Sequence, residues 1–106
     1  MTTPARRENH IESYLLSRCR ANGFLCLKFV SPGRGGVPDR IVVAPNSTVF
    51  VEVKRPGGVL EKRQRITHAR MRRHGAEIHV VDDGESVDGL VAHLLESRTD
   101  QQGEAS

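Results

Sequence analysis

The sequence predicts an α/β domain whose elements run αβββαβα. Three observations carry that reading. Apolar residues recur at helical spacing in the first, fifth and last elements, four short apolar runs, three of them rich in β-branched residues, read as strands, and Gly, Pro, Asn or Asp marks every junction between them. The 106 residues are enough for one domain, which at this size buries only about two-thirds of the surface its unfolded chain exposes. Aromatic residues are 4% of the chain and Trp is absent, so the core must be assembled from Val, Leu and Ile.

Thr3-Pro4 starts the first helix, with proline at the first helical position, and Asn22-Gly23 stops it. Between them Ile11, Tyr14, Leu15 and Cys19 form a core-facing stripe. Glu8 precedes Ile11 by three residues and Leu15 by seven, which puts it near the centre of that stripe, with Glu12 on its flank. A carboxylate aimed at a core needs a partner or a metal. In a frayed first turn it would only complement the helix dipole, and spacing alone leaves both readings open.

Phe24 to Val30 reads as a strand with Leu25, Leu27 and Phe29 on one side and a single charge, Lys28, on the other. The loop Ser31-Pro-Gly-Arg-Gly-Gly36 either brings backbone amides and Arg34 to a phosphate or simply joins two strands. It is not a P-loop, because the G-x-x-x-x-G-K-[ST] spacing is missing and a strand follows it. Strands at about 39–44 and 48–54 are joined through Pro45-Asn46-Ser47 tightly enough to be an antiparallel hairpin. A helix from about Leu60 to His74, ended by Gly75, has Leu60, Gln64, Thr67 and Met71 on its uncharged side, so Gln64 is expected to face the sheet near Lys54. Ala76 to Val81 is a short buried strand. Val87, Leu90, Val91, Leu94 and Leu95 make the last helix the most amphipathic element in the chain. The domain is expected to span 1–96, with 97–106 a disordered tail that has nothing apolar to bury.

The net charge of +3 is unevenly spread. Between Lys54 and Arg73 eight basic residues face the single acid Glu61, whereas acids dominate after Val81. Such a run is either a solvated helix face or a surface for a polyanion such as nucleic acid. Cys19 and Cys26 fall in a helix and a strand without C-x-x-C spacing and read as core thiols of a reducing compartment. None of the five histidines shares zinc-ligand spacing with them. No apolar run reaches the length of a membrane span and the N-terminus lacks a signal-peptide core, so the protein is expected in the cytoplasm of a bacterium or phage-infected host.

The chemistry concentrates in Gly36-Val37-Pro38-Asp39 and Val51-Glu52-Val53-Lys54, where period-two alternation projects Glu52 and Lys54 from one face of a strand beside Asp39. Pro-Asp before the second strand, Glu-x-Lys at the end of the third and the downstream Gln64, in this order of elements, resemble the PD-(D/E)xK nucleases. With Glu8 in the first helix, the pattern more narrowly resembles the VRR-NUC (virus-type replication-repair nuclease) family, over roughly residues 6–95.

That resemblance implies a restriction-endonuclease-like core, a mixed β-sheet flanked by helices. It implies that Asp39, Glu52, the Val53 carbonyl and Glu8 hold a divalent cation, that Lys54 steadies the attacking water and the phosphate, and that Gln64 completes the catalytic pocket. Glu12, one turn from Glu8, is the competing assignment. Oxygen-only ligands independently favour Mg²⁺ or Mn²⁺ over zinc. Lys28, Arg34, Arg55, Arg63, Arg70 and Arg73 are the expected nucleic-acid contacts. The leading reading is therefore a metal-dependent deoxyribonuclease, an endonuclease selective for branched, Holliday-junction-like DNA in phage or bacterial replication and repair. It would act as a homodimer, without membrane or nucleotide cofactor. The alternative is a non-catalytic nucleic-acid-binding module with a structural ion.

Overall fold

The computed structural model describes the backbone of residues 4–105 and the side chains of residues 8–96. Its order is α1 (Pro4–Ala21), β1 (Leu25–Lys28), β2 (Arg40–Ala44), β3 (Ser47–Val53), α2 (Lys62–Arg73), β4 (Ile78–Val81) and α3 (Gly84–Ala105), the predicted αβββαβα. The strands lie side by side in sequence order as one mixed sheet: β1 and β2, and β2 and β3, pair antiparallel, and β4 joins β3 in parallel through α2.

Strand alternation decides which residues make the core. Val42 and Ala44 of β2, Val49, Val51 and Val53 of β3, and Val81 of β4 point one way, toward Ile11, Leu15 and Cys19 of α1 and Val87, Leu90, Val91 and Leu94 of α3. The main core cluster lies between the sheet and these two helices, while Ile78, in register with Phe50, is buried on the other face. Tyr14, placed by its spacing in the core stripe, is instead exposed at the stripe's edge, because its hydroxyl reaches α3 and donates to Asp88 Oδ1 at 2.6 Å. Leu95 is likewise at the rim of α3. The tail expected from residue 97 falls on residues whose side chains lie outside the described set.

The opposite sheet face carries Ile41, Val43, Phe50 and Glu52 in register with Leu25 and Leu27. Of the three helices only α2 lies on that side, joined by Phe29 of the β1–β2 loop against Phe50, and Leu25 and Leu27 remain 55% and 43% exposed. The helix starts at Lys62, two residues later than its apolar pattern predicts, because the Gln64 side chain folds back to accept the Glu61 N–H at 2.9 Å and caps the first turn. Its other anchor is the glycine loop, where Thr67 Oγ1 donates to the Gly35 carbonyl at 2.9 Å.

Gly36 makes that docking possible. Its φ of +84° lies in the left-handed region, and a Cβ there would stand 2.6 Å from the Arg63 carbonyl oxygen and 2.8 Å from Thr67 Oγ1. A Cβ added at Gly23, where φ is +73°, would meet nothing within 4 Å, so that position shares only the conformational cost. Gly36→Ala is therefore expected to lower the unfolding free energy by roughly 2–4 kcal/mol and Gly23→Ala by about 1 kcal/mol. Urea denaturation of both variants checks the ranking, and equal losses would contradict the close docking of α2.

Candidate active site

Pairing of Arg40 with Val51 puts Asp39, one residue before β2, beside the end of β3. Asp39 Oδ2 accepts the backbone N–H of Val53 at 2.9 Å, and the Asp39 carbonyl accepts that of Phe29 at 2.9 Å, so the residue is tied to strands on both sides. Glu52 and Lys54 project from β3 away from the core, as alternation predicts. Lys54 Nζ stands 3.5 Å from Glu52 Oε2.

Glu52 is far more buried than a strand-end acid usually is, at 1% exposure. Burial, reinforced by the negative charge of Asp39 and only partly offset by Lys54, pushes its carboxyl up to about 7. Helix α2 lies over it. Gln64 Nε2 donates to Glu52 Oε2 at 3.0 Å, and Gln64 Oε1 accepts from Lys54 Nζ at 2.8 Å. With the Glu61 amide on the same oxygen, Gln64 joins a helix cap, a lysine and a carboxylate. It faces the sheet beside Lys54, as its place on the helix predicts.

One turn later on α2, His68 is fully buried, with Nε2 3.5 Å from Glu52 Oε1. Burial, and then the charge of Arg72, lowers its pKa. Neither of its nitrogens, nor Glu52 Oε1, has a hydrogen-bond partner among the described residues. His68 is not legible as a site residue from motif spacing. The signal that marks it is helical phase: it follows Gln64 by four residues and so shares its face.

The first helix supplies the remaining wall. Glu8, Asn9 and Glu12 line an open cleft of about 290 Å³ together with Lys28, Phe29, Asp39 and Val53. A neighbouring cleft of about 280 Å³ brings Glu8 together with Lys54, Arg55, Gly58, Val59 and Glu61. Glu8 thus stands where the two clefts meet, one containing Asp39 and the other Lys54. Glu12 is engaged elsewhere, its Oε2 accepting from Arg40 Nε at 3.0 Å. Both acids line the first cleft; Glu8 also reaches the second, while Glu12 is paired with Arg40.

The basic residues divide. Lys28 and Arg55 flank the clefts, Arg63 lies against Gly35, and Arg34 and Arg70 share a shallow depression with Thr67, Met71 and His74. Arg73 is exposed near the end of α2. Arg65 and Arg72 of the same run are committed to the carbonyls of Leu60 and Ile78, which makes them structural. A separate group, Glu77, His79 and His93, places both imidazoles on Glu77 Oε2 at 2.6 and 2.8 Å. His79 pairs with Val51, on the sheet face opposite Glu52, and the three groups satisfy one another.

Asp39 and Glu8 of the cleft, the adjoining buried Glu52 and the Val53 carbonyl would offer oxygen donors only, which fits a hard divalent cation such as Mg²⁺ or Mn²⁺. The buried, unpaired Oε1 of Glu52 is consistent with that fit, since a carboxylate oxygen excluded from water requires a partner.

Comparison with known proteins agrees with the geometry. The VRR-NUC domain model matches residues 6–83, which contain Glu8, Asp39, Glu52, Lys54, Gln64 and His68. A putative nuclease, p44, of Acyrthosiphon pisum secondary endosymbiont phage 1 is 47% identical over 77 residues, covering 72% of this chain and 83% of that protein. A solved VRR-NUC domain superposes with a TM-score of 0.75 at 34% identity, over 82% of this chain and 96% of the other. The chain belongs to the VRR-NUC family of nucleases.

Proposed function

We propose that this domain is a divalent-metal-dependent endonuclease that hydrolyses DNA phosphodiester bonds, acting as a two-fold dimer on branched DNA in phage or bacterial replication and repair. The observation that carries the reading is the grouping of Asp39, the buried Glu52 and Lys54 at one strand end, with Glu8 facing them across the clefts. Asp39, Glu52, Glu8 and the Val53 carbonyl would hold Mg²⁺ or Mn²⁺. When bound, that cation supplies a Lewis acid and lowers the pKa of coordinated water. Lys54 offers its positive charge to the phosphate, where charge builds up in the transition state. Gln64 holds Lys54 and Glu52 in fixed relative positions through both ends of its amide. Lys28, Arg34, Arg55, Arg63, Arg70 and Arg73 would neutralise backbone phosphates without reading sequence, which leaves DNA shape as the basis of selectivity.

The direct test is incubation of the purified protein with labelled four-way, flapped, nicked and linear DNAs in Mg²⁺, Mn²⁺ or EDTA. Cleavage of branched substrates that EDTA abolishes is expected. Asp39→Asn, Glu52→Gln and Lys54→Ala should each lower the cleavage rate at least about 100-fold while DNA binding changes little. Retained activity in any two would refute the assignment.

Because the folded pKa of Glu52 is raised from 4.5 to about 7, its contribution to stability is fullest below the ordinary carboxylate range and is lost as pH rises through about 7. Cation binding requires the ionised form. The rise in unfolding temperature produced by Mn²⁺ should therefore be larger near pH 8 than near pH 6. Glu52→Gln should remove that difference; an equal shift at both pH values in the native protein would place the cation elsewhere.

The dimer rests on the uncovered sheet face. Leu25, Leu27 and Val43 expose a contiguous apolar surface at the edge strand β1, and a two-fold axis is the commonest way for such a face to be paired. Sedimentation at micromolar concentration should give about twice 11.7 kDa, and Leu27→Asp should halve it. A single 11.7 kDa species for the native protein, with and without branched DNA, would refute the dimer.

A further inference from the structure

Helix α2 sends two side chains to Glu52 from consecutive turns of one face. Gln64 donates to Oε2 at 3.0 Å, and His68 presents Nε2 to Oε1 at 3.5 Å. The first is a formed hydrogen bond and the second is longer than one. We propose that His68 is a positioning residue of the nuclease site, whose imidazole orients the Oε1 oxygen of Glu52 when that carboxylate takes up the cation.

Burial is the first support. His68 is fully buried although most of α2 is solvated, and an imidazole removed from water without partners is costly where an aliphatic side chain would pack freely. Its surroundings offer two polar groups, Glu52 Oε1 and the backbone carbonyl of Gly36 at the head of the Gly36-Val37-Pro38-Asp39 turn. The ring therefore spans the two segments that carry Glu52 and Asp39.

The chemistry of the ring is the second support. A neutral ring donates a hydrogen bond to a carboxylate without placing a positive charge against the cation, which Lys or Arg at that position would do. Partners that orient a ligating group in this way typically contribute about 10–100-fold in metal affinity.

The proposal rests on the metal-dependent reading of the site, and the experiment separates the two. Mn²⁺ binding to the full chain without DNA is measured by calorimetry, alongside unfolding temperature and the kcat and KM of DNA cleavage, for His68→Leu, His68→Gln and His68→Asn. A glutamine amide reaches the position of Nε2, whereas an asparagine amide falls near Nδ1. His68→Leu and His68→Asn are expected to weaken Mn²⁺ binding about 10–100-fold and to lower kcat with KM for DNA unchanged, and His68→Gln to recover most of both. Mn²⁺ affinity in His68→Leu within about twofold of the native protein would overturn the role. So would a Gln variant no better than Asn, a comparison that decides the matter even where the Leu variant does not fold. A native protein that binds no Mn²⁺ and cleaves no DNA would overturn the nuclease reading itself, and the role of His68 with it.

Discussion

The burial of one carboxylate organises this molecule. Glu52 sits at 1% exposure at the end of β3, beside Asp39, and an ionised group there is opposed both by lost hydration and by like charge. Everything around it answers that cost. Lys54 brings a positive charge to 3.5 Å, Gln64 donates to one oxygen, and His68 closes over the other. These contacts offset only part of that cost, which is why the carboxyl holds its proton to about pH 7.

Strand β3 serves two purposes through its alternation. Val49, Val51 and Val53 face α1 and α3 and form the centre of the core, while Glu52 and Lys54 face away from it. A one-residue slip would exchange the two sets, so the register that packs the core also aims the site. Stability and chemistry are thereby coupled in one hairpin, with Asp39 held to β3 by the Val53 amide.

The second side of the sheet is built more lightly. Helix α2 is anchored through polar contacts and the close approach of Gly36, and β1 with its neighbour leaves Leu25, Leu27 and Val43 in the open. Among the described residues α1 and α3 both pack on the core face, which leaves α2 alone among the helices for the other. The uncovered surface lies on the same sheet face as Glu52, toward the other end of the β2–β3 hairpin.

Much of this was legible in the chain itself. Element order, the core stripes of α1 and α3, the β2–β3 hairpin and the grouping of Asp39, Glu52 and Lys54 follow from local rules: helical phase, strand alternation and turn chemistry. The inward direction of Gln64 followed from phase as well. Tertiary structure decided what those rules leave free. Phase places Glu8 and Glu12 one turn apart on a helix, but only the crossing of α1 over the sheet differentiates them: both line the cleft beside Asp39, while Glu12 is paired with Arg40 and Glu8 also reaches the cleft beside Lys54. His68 looked like an ordinary helix residue until the docking of α2 on the glycine loop set its depth, and Tyr14 left the core because α3 offered its hydroxyl a partner. Periodicity records the direction of a side chain relative to its own element. How deep it lies, and what it meets, depends on where a second element packs, and here that was set by Gly36 and by the partners waiting across the gap.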